Sequence, residues 1–195
     1  MKVVITLFIF LLTGCSVTTP SITDYRIDPN VKIQQSKTTS QKRSIKVSPI
    51  FSNVSLSTNS MHYRVGQYKE YTFTQSAWVD NPSRAIANKL VNVLEKSGMF
   101  DGVYNYKSSK TTELVLEVSI NEFIQSFNKA QNSSNVTLDI SYNLIEKKTS
   151  KLIGSKNFVK TMPTKTVDAE GGVEALNILL KETLEDTVVW LSEMN

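Results

Sequence analysis

The chain has 195 residues, and its composition of 40% hydrophobic and 21% charged residues is typical of a globular protein that buries a core. This length suits one domain, because domains commonly hold about 100–200 residues. The formal net charge is only +4 and the basic residues are spread along the sequence, which argues against a nucleic-acid-binding protein.

The N-terminus carries the pattern of an exported lipoprotein. Lys2 precedes an apolar run over residues 3–12, which is too short to span a bilayer because a spanning helix needs about 20 apolar residues. The tetrapeptide Leu-Thr-Gly-Cys at residues 12–15 resembles the bacterial lipobox, in which the cysteine is acylated and the peptide is cut before it. We predict a signal peptide over residues 1–14 and lipid attachment at Cys15. The alternatives are an unlipidated signal peptide and a buried N-terminal strand.

Cys15 is the only cysteine, so no intramolecular disulfide can form. Each buried acyl CH₂ contributes about 0.8 kcal/mol, and more than one chain is needed for stable anchoring. A triacylated Cys15 would therefore hold the protein on a membrane, and these covalent acyl chains are the only non-protein group we expect. Residues 15–43 are predicted to form the lipidated N-terminus and a polar tether with a short strand near residues 25–27, and residues 44–195 to form the domain.

The first half of the domain is predicted to be rich in strands. Apolar residues alternate at residues 45–47 before Pro49, which ends that strand. Residues 54–56 are predicted to form a loop or a short strand. Aromatic residues recur in the segments 61–65 and 68–75, which predicts a β-hairpin with a short turn between them.

The clearest helix signal follows the hairpin. Asp80 or Asn81 can cap the helix, Pro82 suits its first position, and Gly98 is a typical stop. Between these signals, apolar residues recur at helical spacing: Ile86, Leu90, Val93 and Leu94. We predict a helix that ends before Gly98, and then another strand near residues 103–106.

The second half has the strongest strand signals. Apolar and polar residues alternate over segments 114–120, 136–144 and 153–162, which predicts an antiparallel meander with one buried face. An apolar stripe at steps of three and four predicts a final helix from about Val173 to Ser192. The order strands–helix–strands–helix predicts an α+β fold, with a mostly antiparallel sheet and both main helices packed on one face.

The sequence shows no pattern of catalytic or metal-binding residues. The only histidine, His62, has no cysteine or carboxylate pair near it in sequence, as a metal site or an activated nucleophile would require. Glu113 and Glu117 are predicted on the solvent face of a strand, and residues 170–172 lack the lysine of a phosphate-binding loop and are predicted to start a helix. We therefore predict that the protein is not an enzyme and binds no metal.

The segment 68–103 resembles the ABC-type transport auxiliary lipoprotein family. The resemblance includes the lipobox, an early Tyr-Xaa-Ile strand at residues 25–27, and an extended segment that ends in Trp78 before a capped helix. The helix is followed by Ser97-Gly98 and the aromatic Phe100. With the long alternating strands and final helix, the resemblance extends over most of residues 25–192.

This resemblance implies a non-catalytic accessory of an ABC-type system that moves lipids across a Gram-negative envelope. Its implied partners are a periplasmic mammalian-cell-entry (MCE) protein and the permease and ATPase of the transporter, and some family members are thought to assemble as rings. Ser16 after Cys15 is similar to the residue that permits sorting to the outer membrane. The implied location is the periplasmic side of an envelope membrane, with the outer membrane favoured over the inner.

The aromatic residues of the hairpin region admit two interpretations. They could pack in the core, or they could form an exposed patch that anchors a partner, since Trp and Tyr are enriched at interface hot spots. Two arginines could add polar contacts at the rim of such a patch. The candidate partner-binding residues are Trp78, Tyr63, Tyr71, Arg64 and Arg84, with Phe73 beside them.

Two other functions remain open from the sequence. The chain could be an envelope assembly factor, of the lipopolysaccharide-assembly or cell-wall-synthase-activator type, because such a lipoprotein would share the anchor and a small α+β body. Direct lipid carriage would require a large apolar pocket under the sheet. Neighbouring genes for an ATPase, a permease and an MCE protein would favour the transport function.

Overall fold

The computed structural model describes residues 20–33 and 43–194, so the predicted signal peptide, Cys15 and part of the tether lie outside the described residues. A mixed sheet of nine strands carries two helices in the order that the sequence predicts. The elements are β1 Thr23–Tyr25, β2 Ser44–Val47, β3 Phe51–Ser52, a 3₁₀ helix Val54–Ser57, β4 Ser60–Val65, β5 Lys69–Trp78, α1 Pro82–Ser97, β6 Gly102–Tyr104, β7 Leu114–Phe127, β8 Ser134–Glu146, β9 Lys151–Pro163 and α2 Ala169–Met194.

The predicted antiparallel meander forms the main part of the sheet. β7, β8 and β9 pair in sequence order, and the alternating apolar residues of β7 and β8 are buried. β7 runs on to Phe127, well past the predicted end at residue 120. Its register shifts between Ile120 and Glu122. This bulge adds one residue and so changes which face the following side chains occupy, which hides the continuation from a simple alternation pattern.

The strands on the other side of β7 pair in parallel. β2 lies beside the first residues of β7 and β4 beside its last ones, where Val65 pairs with Phe127. The predicted hairpin is present as β4 and β5, and β1 adds to the outer edge of β5 in parallel. The α+β fold is thus confirmed, and the long antiparallel pairings are joined by short parallel ones that the sequence analysis did not anticipate.

Helix α1 has the predicted ends. The Asn81 side chain accepts a hydrogen bond from the Arg84 backbone N–H at 2.9 Å, and Pro82 occupies the first turn where no N–H partner is needed. Gly98 adopts the left-handed conformation, with φ of 63°, and its N–H bonds to the Glu95 carbonyl. α1 packs against α2 and β6.

Helix α2 begins at Ala169, earlier than the predicted Val173. The Asp168 carboxylate accepts a hydrogen bond from the Gly171 N–H at 2.8 Å, which gives the first turn the partner that its free N–H groups need. The predicted apolar stripe lies against β7, β8 and β9, and its most buried members are Leu176, Leu180, Leu184 and Leu191.

The segment after β1 is packed on the helices. The predicted strand near residues 25–27 lies at Thr23–Tyr25, because the pairing with β5 ends where Trp78 ends that strand. Ile27 is buried in the core. The Asp28 N–H donates a hydrogen bond of 2.7 Å to the Asn177 side chain of α2. Residues 26–28 are therefore a fixed part of the domain and not a free tether.

Candidate functional site

An aromatic cluster covers one face of the β4–β5 hairpin. Tyr63 pairs across the hairpin with Tyr71, and their ring centroids are 5.6 Å apart. The Tyr63 ring also lies 4.4 Å from that of Phe73 and 5.3 Å from that of Phe127 on β7. Tyr71 is 45% exposed, so the cluster reaches the surface. We call these four side chains the hairpin aromatic cluster.

A groove runs beside this cluster. Its volume is about 540 Å³, and its aromatic side is formed by Tyr25, Tyr63, Phe73 and Phe127. Its other side includes Asp168 and Glu170 at the start of α2. Partial burial, and then the charges of Glu170 and Asp168, raise the pKa of Tyr25. The groove thus combines an aromatic side with an acidic rim.

The edge of β5 beside the groove is open. β5 pairs with β4 on one side, but on the other side β1 pairs only with residues 76–78. Residues 69–75 have no second strand neighbour in the described part of the chain. Such an edge presents unpaired backbone N–H and C=O groups, which an extended segment of a partner can bind.

Trp78 lies in the core and not in the hairpin aromatic cluster. It is 4% exposed, and its ring centroid lies 5.9 Å from that of Phe123. A buried indole in this position packs the end of β5 against β7, and it presents almost no surface to a partner. Of the two interpretations that the sequence left open for Trp78, the structure places it in the packing role.

The opposite face of the hairpin is polar. The Arg64 Nη2 atom lies 3.0 Å from the Glu122 Oε1 atom, and the His62 Nδ1 atom lies 3.4 Å from the Glu70 Oε1 atom. These side chains line a cleft with a volume of about 40 Å³, which is room for a water molecule and not for a substrate. The sequence alone does not reveal the His62–Glu70 contact, because the two residues meet only through the register of the hairpin.

Arg84 lies on α1 rather than on the hairpin. Its Nε atom donates a hydrogen bond of 2.7 Å to Asp80, four residues earlier. This hydrogen bond raises the pKa of the guanidinium. Arg84 and Arg64 are thus each paired with a carboxylate, so a partner would have to share or displace those ion pairs.

Glu113, one of the carboxylates considered in the sequence, forms hydrogen bonds with the start of β2. Glu113 Oε2 accepts a hydrogen bond of 2.7 Å from the Ser44 N–H, and the bonds from Ser44 lower the pKa of this carboxyl.

No three His, Cys, Asp or Glu residues within segments 20–33 and 43–194 lie close enough together to hold a metal ion. No helix in those same segments is both long and apolar enough to cross a bilayer.

Comparison with known proteins assigns the chain to a family. The model of the ABC-type transport auxiliary lipoprotein component matches residues 25–188. The chain belongs to this family. The auxiliary lipoprotein is therefore a component associated with ABC-type transport and a membrane-anchored protein of the cell envelope, as the resemblance implied. No protein of curated function matches the chain.

Solved structures share the fold of this auxiliary lipoprotein. A protein from Xanthomonas campestris has a TM-score of 0.75 at 15% identity, with 87% of this chain and 94% of that one covered. An uncharacterized protein has a TM-score of 0.64 at 14% identity, with 89% and 99% covered. The PelC dodecamer from Paraburkholderia phytofirmans is more distant, with a TM-score of 0.44, 12% identity, and 73% and 86% covered.

Proposed function

We propose that this auxiliary lipoprotein binds the periplasmic MCE component of a lipid-transport system, and that an acylated Cys15 anchors it in the outer membrane. The observation that carries it is the hairpin aromatic cluster, which reaches the surface at Tyr71 beside a groove and an open strand edge.

These features suit an interface. A few residues supply most of the binding free energy at many protein–protein interfaces, and tyrosine is enriched among them where the partner buries it. The open edge formed by residues 69–75 can pair with an extended segment, while the groove receives alternate side chains of that segment. The acidic rim at Asp168 and Glu170 favours a segment that carries basic residues there.

The packing of the domain supports docking over lipid carriage. A carrier would need a large apolar cavity between the sheet and the helices. Instead, that space is filled by side chains that are fully buried, among them Leu116, Ile140 and Leu180. The groove beside the hairpin is open and partly polar, which suits a peptide segment better than an acyl chain.

The test is co-purification of the acylated protein from membranes. We expect the wild-type protein to bring the MCE protein, the permease and the ATPase with it, and Tyr71→Ser to lose them. Tyr106→Ser is the matched control, because Tyr106 is also half exposed but lies in the β6–β7 connection. Equal recovery from both variants would contradict the docking site.

The identity of the recovered proteins separates the two function classes. Recovery of transporter components supports the transport accessory. Recovery of lipopolysaccharide-assembly proteins or cell-wall synthases in their place would establish the envelope assembly factor as the function and overturn the proposal.

A further inference from the structure

We infer that the face of the sheet opposite α2 binds an uncharged glycan, the N-acetylated backbone of the cell wall. We call this surface the polar sheet face. It consists of the odd-numbered residues 135–145 of β8, their partners on β7 and β9, and Asn121 at the bulge of β7. The inference rests on the periplasmic location that belongs to the proposed function, but not on the docking site at the hairpin.

Pairing in the sheet determines which side chains belong to this face. Side chains of paired residues on neighbouring strands point to the same side, and successive residues of a strand alternate. Tyr142 on β8 points to the helices, because its ring centroid lies 6.1 Å from that of Trp190 on α2. Ser141 therefore points to the opposite face, as does its partner Asn157 on β9, which is exposed.

The polar sheet face is rich in residues that strands do not favour. Asparagine and aspartate are depleted in strands. This face nevertheless carries both types in the middle of long strands, at Asn121, Asp139, Asn143 and Asn157. Departures from local preference are expected at functional sites. The composition therefore indicates that these side chains serve binding and not stability.

Hydrogen bonds across the strands hold several of these side chains in place. The Ser141 hydroxyl donates a bond of 3.2 Å to Asn157 Oδ1, and the Ser155 hydroxyl donates one of 2.8 Å to Asn143 Oδ1. Both asparagines accept through Oδ1, which leaves their NH₂ groups to a ligand. Because the side chains are already ordered, a ligand loses little affinity to their immobilisation.

An exposed aromatic ring borders this face. Phe51 on β3 pairs with Ser119 on β7 and is 78% exposed. The next residue, Ser52, points to the helices, because its hydroxyl lies 2.6 Å from that of Ser83 on α1. Phe51 therefore points to the polar sheet face. A ring beside amide groups suits a sugar, because the ring packs on the C–H groups of the sugar while the amides bind its polar groups.

The spacing of the strands suits an extended glycan. Phe51, Ser119, Ser141 and Asn157 form one row across four strands. Neighbouring strands lie about 4.8 Å apart, which is close to the length of one sugar in an extended β-linked chain. A glycan that crosses the strands can therefore place one sugar over each strand of the row.

The charges of the face select against anionic ligands. Its charged residues, Glu117, Glu122 and Asp139, are all acidic, so the phosphates of lipids are repelled. Lys46 and Arg64 on its border each already bind an oxygen of the protein. A protein partner would need apolar contacts in the centre of the face, where the side chains are polar. An N-acetylated glycan backbone is uncharged, and it offers carbonyls to the NH₂ groups and hydroxyls to the carboxylates.

Sedimentation with purified cell-wall sacculi tests the inference on the acylated full-length protein in detergent. We expect the wild-type protein to sediment with the sacculi, and the β-linked tetramer of N-acetylglucosamine to release it. Phe51→Ser and Asn157→Thr should each bind about tenfold more weakly, because each removes one contact with a sugar. Threonine is favoured in strands, so Asn157→Thr should lose binding without losing stability in urea. Tyr68→Ser is the matched control, because Tyr68 is 88% exposed but lies in the hairpin turn.

The outcomes are distinct. A wild-type protein that stays in solution, or equal binding by all the variants, overturns the inference. Sedimentation that salt abolishes and the glycan tetramer does not affect indicates an ionic contact with wall peptides, and it also overturns the inference. Loss of the transporter components by Phe51→Ser would make this face a protein interface instead. Retention of those components by Tyr71→Ser overturns only the docking site and leaves the glycan site standing.

Discussion

Gln125 on β7 and Gly172 on α2 meet where the long helix begins, and a Cβ atom on Gly172 would overlap the Gln125 Oε1 atom. Gln125 is buried, and its Nε2 atom donates hydrogen bonds of 2.9 Å to the Ser134 hydroxyl and to the Asp168 carbonyl. The amide thus fixes the start of α2 to the sheet, and the glycine allows the close approach.

The first prediction concerns this contact. We expect Gly172→Ala to lower the free energy of unfolding by about 1–3 kcal/mol, because the new methyl group must displace a buried, hydrogen-bonded side chain. Urea unfolding measures the loss, and Glu174→Ala on the same helix is the exposed control. Gln125→Ala removes the overlapping amide, so the double variant should lose less than the sum of the two single variants. Additive losses would contradict this account.

The second prediction concerns Trp78. We expect Trp78→Ala to reduce stability by about 3–5 kcal/mol, because it leaves a cavity beside Phe123 in the core. Thermal and urea unfolding would measure this loss. A variant with normal stability that had lost only its transporter partners would show instead that the indole acts in binding.

The third prediction concerns the cap of α1. Asn81→Ala should cost about 1 kcal/mol, because the Arg84 N–H loses its hydrogen-bond acceptor at the start of the helix. Asn88→Ala is the matched control, since Asn88 is exposed in the middle of α1 and alanine favours helices. If both variants had the same stability, the cap would not contribute.

The fourth prediction concerns alkaline pH. Burial raises the pKa of the Tyr142 hydroxyl to about 12, whereas the unfolded chain titrates near 10. Between these values the unfolded chain loses the proton and the folded chain keeps it, so the free energy of unfolding should fall as the pH rises, by up to about 3 kcal/mol. Urea unfolding at pH 9, 10 and 11 measures this slope.

Tyr142→Phe supplies the control for that measurement. It removes the hydroxyl and should flatten the decline in stability above about pH 10, whereas Tyr106→Phe, which changes an exposed ring, should retain it. A Tyr142→Phe protein with an unchanged slope would show that other groups cause the alkaline loss.

Local signals in the sequence predict the local structure of this fold. Asn81, Pro82 and Gly98 fix the ends of α1, and each acts through contacts with residues a few positions away. The meander is likewise visible from alternation, until the bulge after Ile120 breaks the pattern. The parallel pairings could not be predicted, because they join residues far apart, such as Tyr25 and Trp78.

The candidate site, too, could be predicted only where its contacts are close together in the sequence. The pairing of Tyr63 with Tyr71 is implied by the hairpin that the sequence predicts, so its cross-strand contact could have been inferred from the register. The contribution of Phe127 and the groove could not, because β7 was predicted to end at residue 120 and the start of α2 was placed later than Ala169. The position of Trp78 could not be predicted from its residue type, because tryptophan is suited to a core and to an interface equally well.

The parallel pairing of β1 with β5 has a mechanical consequence. A pull on the chain before Thr23 acts along the axis of both strands, across the hydrogen bonds that join residues 23–25 to residues 76–78. In this shear geometry the bonds share the load, whereas a perpendicular pull would open them one after another. Just after β1, the Asn177 side chain of α2 forms hydrogen bonds with the Arg26 carbonyl and the Asp28 N–H. Tension from the N-terminus is thereby passed to the sheet and the long helix together.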